Sequence, residues 1–303
     1  HNGQPGPVMV EIPADVAASE IDPELIAAYR PAPVVRSMGD AQEITSAAES
    51  LLGAERPVIL AGSGVLYGEA WDELAELAEY LQVPVTTTMA GKSAFSETHP
   101  LALGSMSGVM SDPALKFFGE ADLVLAVGTS LTIHGMVTPI PTGKRIIHIT
   151  NAPIDIGKSY DVDHAILGDA KYVLRQFIDV VADLTGDEPV DPNDGPVSEI
   201  DASRSAWMAS WVPLLESEER PINPYRVIRE LMSNVDPAEA IVTHDSGNPR
   251  FEIMPFYRSN GPRTYLGWGK SHQLGTGLGL AIGAKLADPE KICVNIMGDA
   301  AFG

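Results

Sequence analysis

The sequence predicts an α/β chain: a doubly wound parallel sheet in its middle, followed by a second, partial α/β unit. Three observations carry this. From about residue 40 to 185, short β-branched runs alternate with stretches of helical apolar spacing, the pattern of parallel strands joined by crossover helices. The strand-like runs end in small or polar residues, and in such sheets ligands sit at the carboxyl ends of strands. A stretch rich in proline and acids, LTGDEPVDPNDGPVSE, then interrupts the alternation before it resumes, which reads as a linker.

The elements follow in order. In GQPGPVMVEIPADV, Val8, Val10 and Ile12 alternate with Met9 and Glu11 as in a short strand ended by Pro13, and the run looks like the close of a domain. In AQEITSAAESLLGA, Ile44, Ala47, Ala48, Leu51 and Leu52 fall at helical spacing, with Gly53 near the stop. PVILAG is a short buried strand. GEAWDELAELAEYLQ is an amphipathic helix with Trp71, Leu74, Leu77, Ala78 and Leu81 on one face. PVTTT, DLVLAVG and RIIHIT are further strands. After the break, ASRSAWMASWVPLLES is helical up to about Trp211, and Asn223 with Pro224 forms an N-cap and first-turn pair opening NPYRVIRELMSNV. AIVTHD is a strand, HQLGTGLGLAIGAKLA a glycine-rich helix, and KICVNIMGD a final buried strand. No internal repeat recurs at a fixed period.

Composition narrows the function. The formal charge of −21 argues against nucleic acid, because phosphate binding needs clustered Lys and Arg. It also makes an anionic ligand depend on local devices such as helix N-termini or a bound cation. No apolar run approaches the roughly eighteen residues of a membrane span. The single cysteine, Cys293, cannot form an internal disulfide and fits a reducing, cytoplasmic compartment. The chain starts without Met or a signal peptide and reads as a piece of a longer protein.

Several motifs compete. Gly91-Lys92-Ser93 and Gly269-Lys270-Ser271 suggest phosphate loops, but Thr86 and Thr264 stand where a Walker loop needs its upstream glycine. AGSGVLYG after PVIL has Gly62 and Gly64 of a dinucleotide turn, with Tyr67 in place of the third glycine and Gly68 one late; a tight turn without ligand fits as well. Gly275, Gly277, Gly279 and Gly283 each cost a helix about 1 kcal/mol relative to Ala. Such a helix fits a site where another helix or a cofactor approaches its backbone. Asp299, directly after a strand and followed by small residues, suits a hard-cation site bridging Mg²⁺ to a diphosphate. It would serve equally as the cap of a following helix. Among the histidines, His99 reads as a loop residue, His148 as facing a neighbouring segment and His164 as solvated, whereas His244 at a strand end could lie near a ligand.

Strand–Gly–Asp, preceded by a glycine-rich helix and by a strand ending in Asp-x-Gly, resembles the thiamine diphosphate-dependent enzymes of the acetolactate synthase and pyruvate oxidase group. The resemblance runs along the whole chain. GQPGPVMVEIPADV looks like the end of that family's pyrimidine-binding domain (1–20), joined by a connecting segment (21–36). RPVILAGSGV, PVTTTMAGKSAFSETHPLALG, ADLVLAVG and KRIIHIT look like its middle domain (37–185). After a linker (186–200), HDSGNPR, GPRTYLGW, HQLGTGLGLAIGAKLADP and IMGDAAFG look like the first half of its diphosphate-binding domain (201–303).

The resemblance implies that Asp299 ligates Mg²⁺, that Gly298, Ala300 and Ala301 line the diphosphate of the cofactor, and that Ser246, Gly247 and Asn248 contact its far phosphate region. By the same resemblance the carbonyl of His272 would accept from the cofactor's 4′-amino group, Leu274 would be the wedge beneath the bent cofactor, and Gln273 and Gly275 would also bind it. Ala300 replaces the family's usual glycine, and Asn248-Pro249 replaces a Gln-His pair. FAD-binding members carry an Arg-Phe-Asp-Asp-Arg run where this chain has Ser130-Leu131-Thr132-Ile133-His134, which counts against FAD and against a strict acetolactate synthase. The implied activity is decarboxylation of a 2-oxo acid with transfer or release of the two-carbon unit, in a homodimer or homotetramer whose sites form between subunits. The activating glutamate is then expected before His1 and the remaining metal ligand after Gly303. The rivals are a simple decarboxylase or oxalyl-CoA-type lyase, and, from another class, a nucleotide-binding regulatory module.

Overall fold

The computed structural model describes residues 3, 6, 8–106, 110–135, 137–192, 195–269 and 271–303. Lys270 of the second GKS triplet lies outside the described residues, as do Gln4, Pro5 and Pro7 of the opening run. Two short helices come first, α1 (Ala14–Ala17) and α2 (Pro23–Ala28), and every described residue up to Met38 is exposed. The strand expected at residues 8–12 is not there. Val8, Val10 and Ile12 are 86%, 75% and 62% exposed and pair with no strand among the described residues. Alternation alone does not make a strand, because its N–H and C=O groups need a neighbour to pair with.

The middle unit follows. In α3 (Ala41–Leu52), the Asp40 carboxylate accepts from the Gln42 and Glu43 amides, and Ile44, Ala47, Ala48 and Leu51 are buried. Leu52 turns outward instead. Then come β1 (Pro57–Ala61), α4 (Ser63–Gly68), α5 (Trp71–Leu81), β2 (Val85–Thr88), β3 (Ala102–Met106), α6 (Asp112–Glu120), β4 (Leu123–Val127), β5 (Arg145–Thr150), β6 (His164–Leu167) and α7 (Ala170–Thr185). All neighbours pair parallel in the order β3-β2-β1-β4-β5-β6, the doubly wound sheet expected. Strand order reverses between β1 and β4, where such sheets open a crevice. His164 is not solvated: as the first residue of β6 it is half-buried, with Nδ1 3.0 Å from Glu43 on α3.

The second unit comprises α8 (Val197–Leu215), α9 (Pro224–Asn234), β7 (Ala240–His244), α10 (Asn248–Ile253), β8 (Tyr265–Leu266), α11 (Thr276–Ala287), β9 (Ile292–Ile296) and α12 (Asp299–Phe302). Its three strands are parallel in the order β8-β7-β9. Asn223 caps α9 by accepting from the Tyr225 amide, as the sequence suggests. Two expectations need correction. Helix α8 does not stop near Trp211 but runs through Pro213 to Leu215. Proline removes one helical hydrogen bond, yet Trp207 stacks on Phe256 at 5.0 Å, Trp211 meets Tyr225 and Phe256, and Leu215 is buried beyond the proline. Packing decides that boundary. Strand β9 is half-buried rather than buried, because it pairs only with β7 and forms an edge of the described sheet.

The loop between β2 and β3 locks the two units together. Lys92 is fully buried, its ammonium 2.6 Å from Glu97 Oε1 and donating to the Met254 carbonyl. The Glu97 carboxylate also accepts from the Ser259 amide and hydroxyl and from Ser105. Lys92 is thus an interior strut, not a phosphate-binding lysine. Burial pushes its pKa down, and Glu97 opposes that shift. In Glu97→Leu the ammonium stays buried without its counter-charge, so denaturant titration should show a loss of about 3–5 kcal/mol. The double variant Lys92→Met/Glu97→Leu should recover a large part of that loss.

Candidate functional site

The site is built where β7 and β9 end side by side. The Asp245 amide donates to the Ile296 carbonyl at 2.8 Å, which aligns the two strand tips. Asp245 itself is fully buried. Its Oδ1 accepts from the Ser246 amide at 2.7 Å and the Gly275 amide at 3.0 Å, and its Oδ2 accepts from the Gly277 amide at 2.9 Å. A helix start leaves amides without partners, and a capping side chain normally meets them. Here the N-cap of α11 is Gly275, which has no side chain, so β7 supplies the carboxylate from across the sheet. Its charge also complements the positive end of the helix.

Glycines make that approach possible. A Cβ at Gly277 would collide with the His244 carbonyl and with Asn295 Oδ1. Gly275 has φ +86 and Gly247 φ +92, backbone that side chains rarely adopt. By contrast, a Cβ at Gly279, Gly283 or Gly298 would meet nothing within 4 Å. Packing therefore explains part of the glycine-rich helix and not all of it.

The structure brings three of the expected groups to one face. Ser246, Gly247 and Asn248 lie at the tip of β7; Ser246 is buried and the other two are exposed. Gly298, Asp299, Ala300 and Ala301 lie at the tip of β9, and the Ala301 carbonyl approaches the Cβ position of Gly275 at 3.6 Å. His272, Gln273 and Leu274 are exposed on the turn leading into α11. Asp299 is exposed at the first position of α12, and its Oδ1 accepts from the Ala300 amide. Among the described residues no group of three or more His, Cys, Asp or Glu could hold a metal, so Asp299 offers a single carboxylate.

His244 lies beneath this face. Its ring stacks on Trp268 at 5.2 Å, Trp268 Nε1 donates to the His244 carbonyl, and the Trp268 amide points at His244 Nε2. That arrangement leaves the ring proton on Nδ1, facing the Asp245 carbonyl at 3.2 Å. Burial, with a smaller push from the Arg250 charge, lowers its pKa to about 4. Next to it, Arg250 is fully buried, donates from Nη2 to the Ser271 carbonyl at 2.9 Å and lies 4.4 Å from the Trp268 ring centre.

Asp245, Arg250 and Trp268 are the residues that the sequence reading missed. Asp245 follows β7 immediately, more directly than Asp299 follows β9, so the same strand-tip argument would have found it. Nothing local in GPRTYLGW or HDSGNPR announces that Trp268 and Arg250 stack.

A second cavity opens in the middle unit, with Gly269 of the second unit at its edge. Its walls include Ser63, Ser130, Thr150, Asn151, Asp155 and Tyr160, with no Lys or Arg among the described lining residues. Gly62 and Gly64 serve the turn itself: a Cβ at either would strike the backbone of Gly128. His148 faces a neighbouring segment as expected, with Nε2 2.8 Å from the Thr129 carbonyl, and burial lowers its pKa.

Comparison with known proteins gives two family matches. Residues 44–177 match the thiamine pyrophosphate enzyme central domain, and residues 245–303 the C-terminal TPP binding domain of the same enzymes. The chain is 33% identical to the probable acetolactate synthase large subunit of Methanococcus aeolicus, over 99% of its own length and 52% of that protein. It is 29% identical to the glyoxylate carboligase of Escherichia coli O157:H7, over 99% of its own length and 50% of that protein. The benzoylformate decarboxylase structure from Polynucleobacter necessarius superposes with a TM-score of 0.69 over 94% of this chain and 50% of the other, at 21% identity. The chain spans about half the length of the curated relatives it matches.

Two outcomes follow from the geometry. Asp245→Ala leaves three backbone amides without their acceptor, so stability should fall by more than about 2 kcal/mol, and amide exchange at Gly275 and Gly277 should speed up. For His244, the folded pKa of about 4 lies below the unfolded 6.5. The unfolded chain therefore takes up a proton first as pH falls. Stability is full above 6.5 and declines between 6.5 and about 4, by about 3 kcal/mol in all. His244→Gln should flatten that part of the profile of denaturation midpoint against pH.

Proposed function

The chain belongs to the thiamine pyrophosphate enzymes, and on that premise we propose that the whole protein uses thiamine diphosphate and Mg²⁺ to decarboxylate a 2-oxo acid, passing the two-carbon unit to an acceptor or releasing it. The observation that carries this reading is the pair of strand tips, β7 and β9, held side by side with glycine-lined backbone around them. The donor set suits the cofactor. The open Cβ positions at Gly279 and Gly298 and the positive-φ turns at Gly247 and Gly275 leave backbone free to approach a ligand.

When bound, thiamine diphosphate supplies the carbanion-stabilising chemistry that no side chain provides. This chain's residues bind and orient it. Gly298, Ala300 and Ala301 would line the diphosphate, with Ser246, Gly247 and Asn248 on its other side. Asp299 would give Mg²⁺ one carboxylate oxygen, a hard ligand for a hard cation. The His272 carbonyl would accept the 4′-amino proton, Gln273 and Gly275 would complete that turn, and Leu274 would press the pyrimidine towards the reacting carbon. An imposed conformation of that kind turns binding energy into proximity.

The member proposed here works without FAD, because Ser130-Leu131-Thr132-Ile133-His134 stands where FAD-binding relatives carry their arginines. The similarity to a synthase and to a carboligase favours transfer over simple release. A homo-oligomer with sites shared between subunits fits the same reading.

Calorimetric titration of the full-length protein with thiamine diphosphate in Mg²⁺ buffer tests it. Saturable binding is expected, weakened at least about tenfold in Asp299→Ala, a loss of about 1.4 kcal/mol. No binding, or binding unchanged by that substitution, would falsify the reading.

A further inference from the structure

Arg250 spends little of its hydrogen-bonding capacity. A guanidinium carries five N–H donors. Here Nη2 reaches the Ser271 carbonyl, while Nε and Nη1, both buried, have no partner among the described residues. No described carboxylate forms an ion pair with it, and the Asp245 carboxylate is already taken up by three amides. Burying a cation is costly unless it is fully paired, so one hydrogen bond and one aromatic face make Arg250 a poor stabiliser.

What Arg250 does supply is geometry. Its two contacts fall at Trp268 and at Ser271, the residue immediately before His272. Trp268 is itself fixed, by its indole bond to the His244 carbonyl and its stack on the His244 ring. The Ser271 carbonyl shares a rigid peptide plane with the His272 amide. Three residues further on, the chain is fixed again where the Gly275 amide meets Asp245. Only His272, Gln273 and Leu274 lie between those two anchors, so the short turn that carries the His272 carbonyl is held at both ends.

We propose that Arg250 is a positioning residue: by holding the Ser271 carbonyl against the Trp268 face, it aims the neighbouring His272 carbonyl at the 4′-amino group of thiamine diphosphate. The inference rests on the function proposed above, and it makes Arg250 selective for one end of the cofactor. The Arg250 side chain makes no hydrogen bond to the groups assigned to the diphosphate, Ser246 to Asn248 and Gly298 to Ala301, so that end does not depend on it.

The test measures binding of three probes to the full-length protein in Mg²⁺ buffer: thiamine diphosphate, its 4′-oxo analogue, whose oxygen cannot donate to a carbonyl, and inorganic pyrophosphate. In Arg250→Met, affinity for thiamine diphosphate should fall about tenfold, the worth of one hydrogen bond, while the other two probes bind within about twofold of wild type. Arg250→Lys keeps a donor for Ser271 but loses the planar face, and its preference for the amino form over the oxo form should lie between. If the methionine variant does not fold, the lysine variant carries the test through that preference alone. Equal weakening of all three probes would show a structural role only and overturn the proposal, as would an unchanged preference. A wild-type protein that binds pyrophosphate but shows no preference between amino and oxo cofactors overturns the positioning role while leaving the diphosphate site standing. One that binds none of the three overturns the proposed function itself.

Discussion

The carboxylate of Asp245 holds the second unit in shape at the place where its strands end. Backbone amides at the start of a helix need acceptors, and the start of α11 has only glycine to offer. Three amides from three directions close on one buried side chain instead. Removing water from that contact strengthens it electrostatically. The same carboxylate ties the tip of β7 to the start of α11, and with it the far end of the turn at 271–275.

That arrangement also explains why the glycines differ in purpose. Gly277 is glycine because the helix passes so close to β7 and to Asn295 that a methyl group has no room. Gly275 is glycine because the turn needs a left-handed residue. Gly279 and Gly283 face no described atom, and the helix gives up stability there without any packing return among the described residues. Composition alone could not separate these cases, since all four residues look alike in the sequence.

Much of the architecture was legible because it rests on local pattern. Ile44, Ala47, Ala48 and Leu51 declare the buried face of α3 by spacing alone, and Asn223-Pro224 declares the start of α9. Failures came where a partner far along the chain decides. Trp207 and Trp211 carry α8 past Pro213 only because Phe256 and Tyr225 stand beside them. Val8 to Ile12 alternate well but lie beside no strand. The strand tip of β9 drew attention to Asp299, whereas Asp245, buried and silent in composition, organises the face on which Asp299 sits. The Arg250–Trp268 stack was invisible for the same reason: it joins α10 to the segment after β8, whose proximity only the sheet creates.

Lys92 and Glu97 sit on one loop of the first sheet, yet two of their partners, Met254 and Ser259, lie more than 150 positions along the chain. Loop closure over such a separation is entropically slow to form but contributes only once both units are in place. The two sheets are therefore expected to melt in a single cooperative transition rather than in sequence, and neither unit keeps its native loop when the other is lost. A cut between α7 and α8 would leave the Lys92–Glu97 pair on one body and the Met254 carbonyl and Ser259 donors on the other.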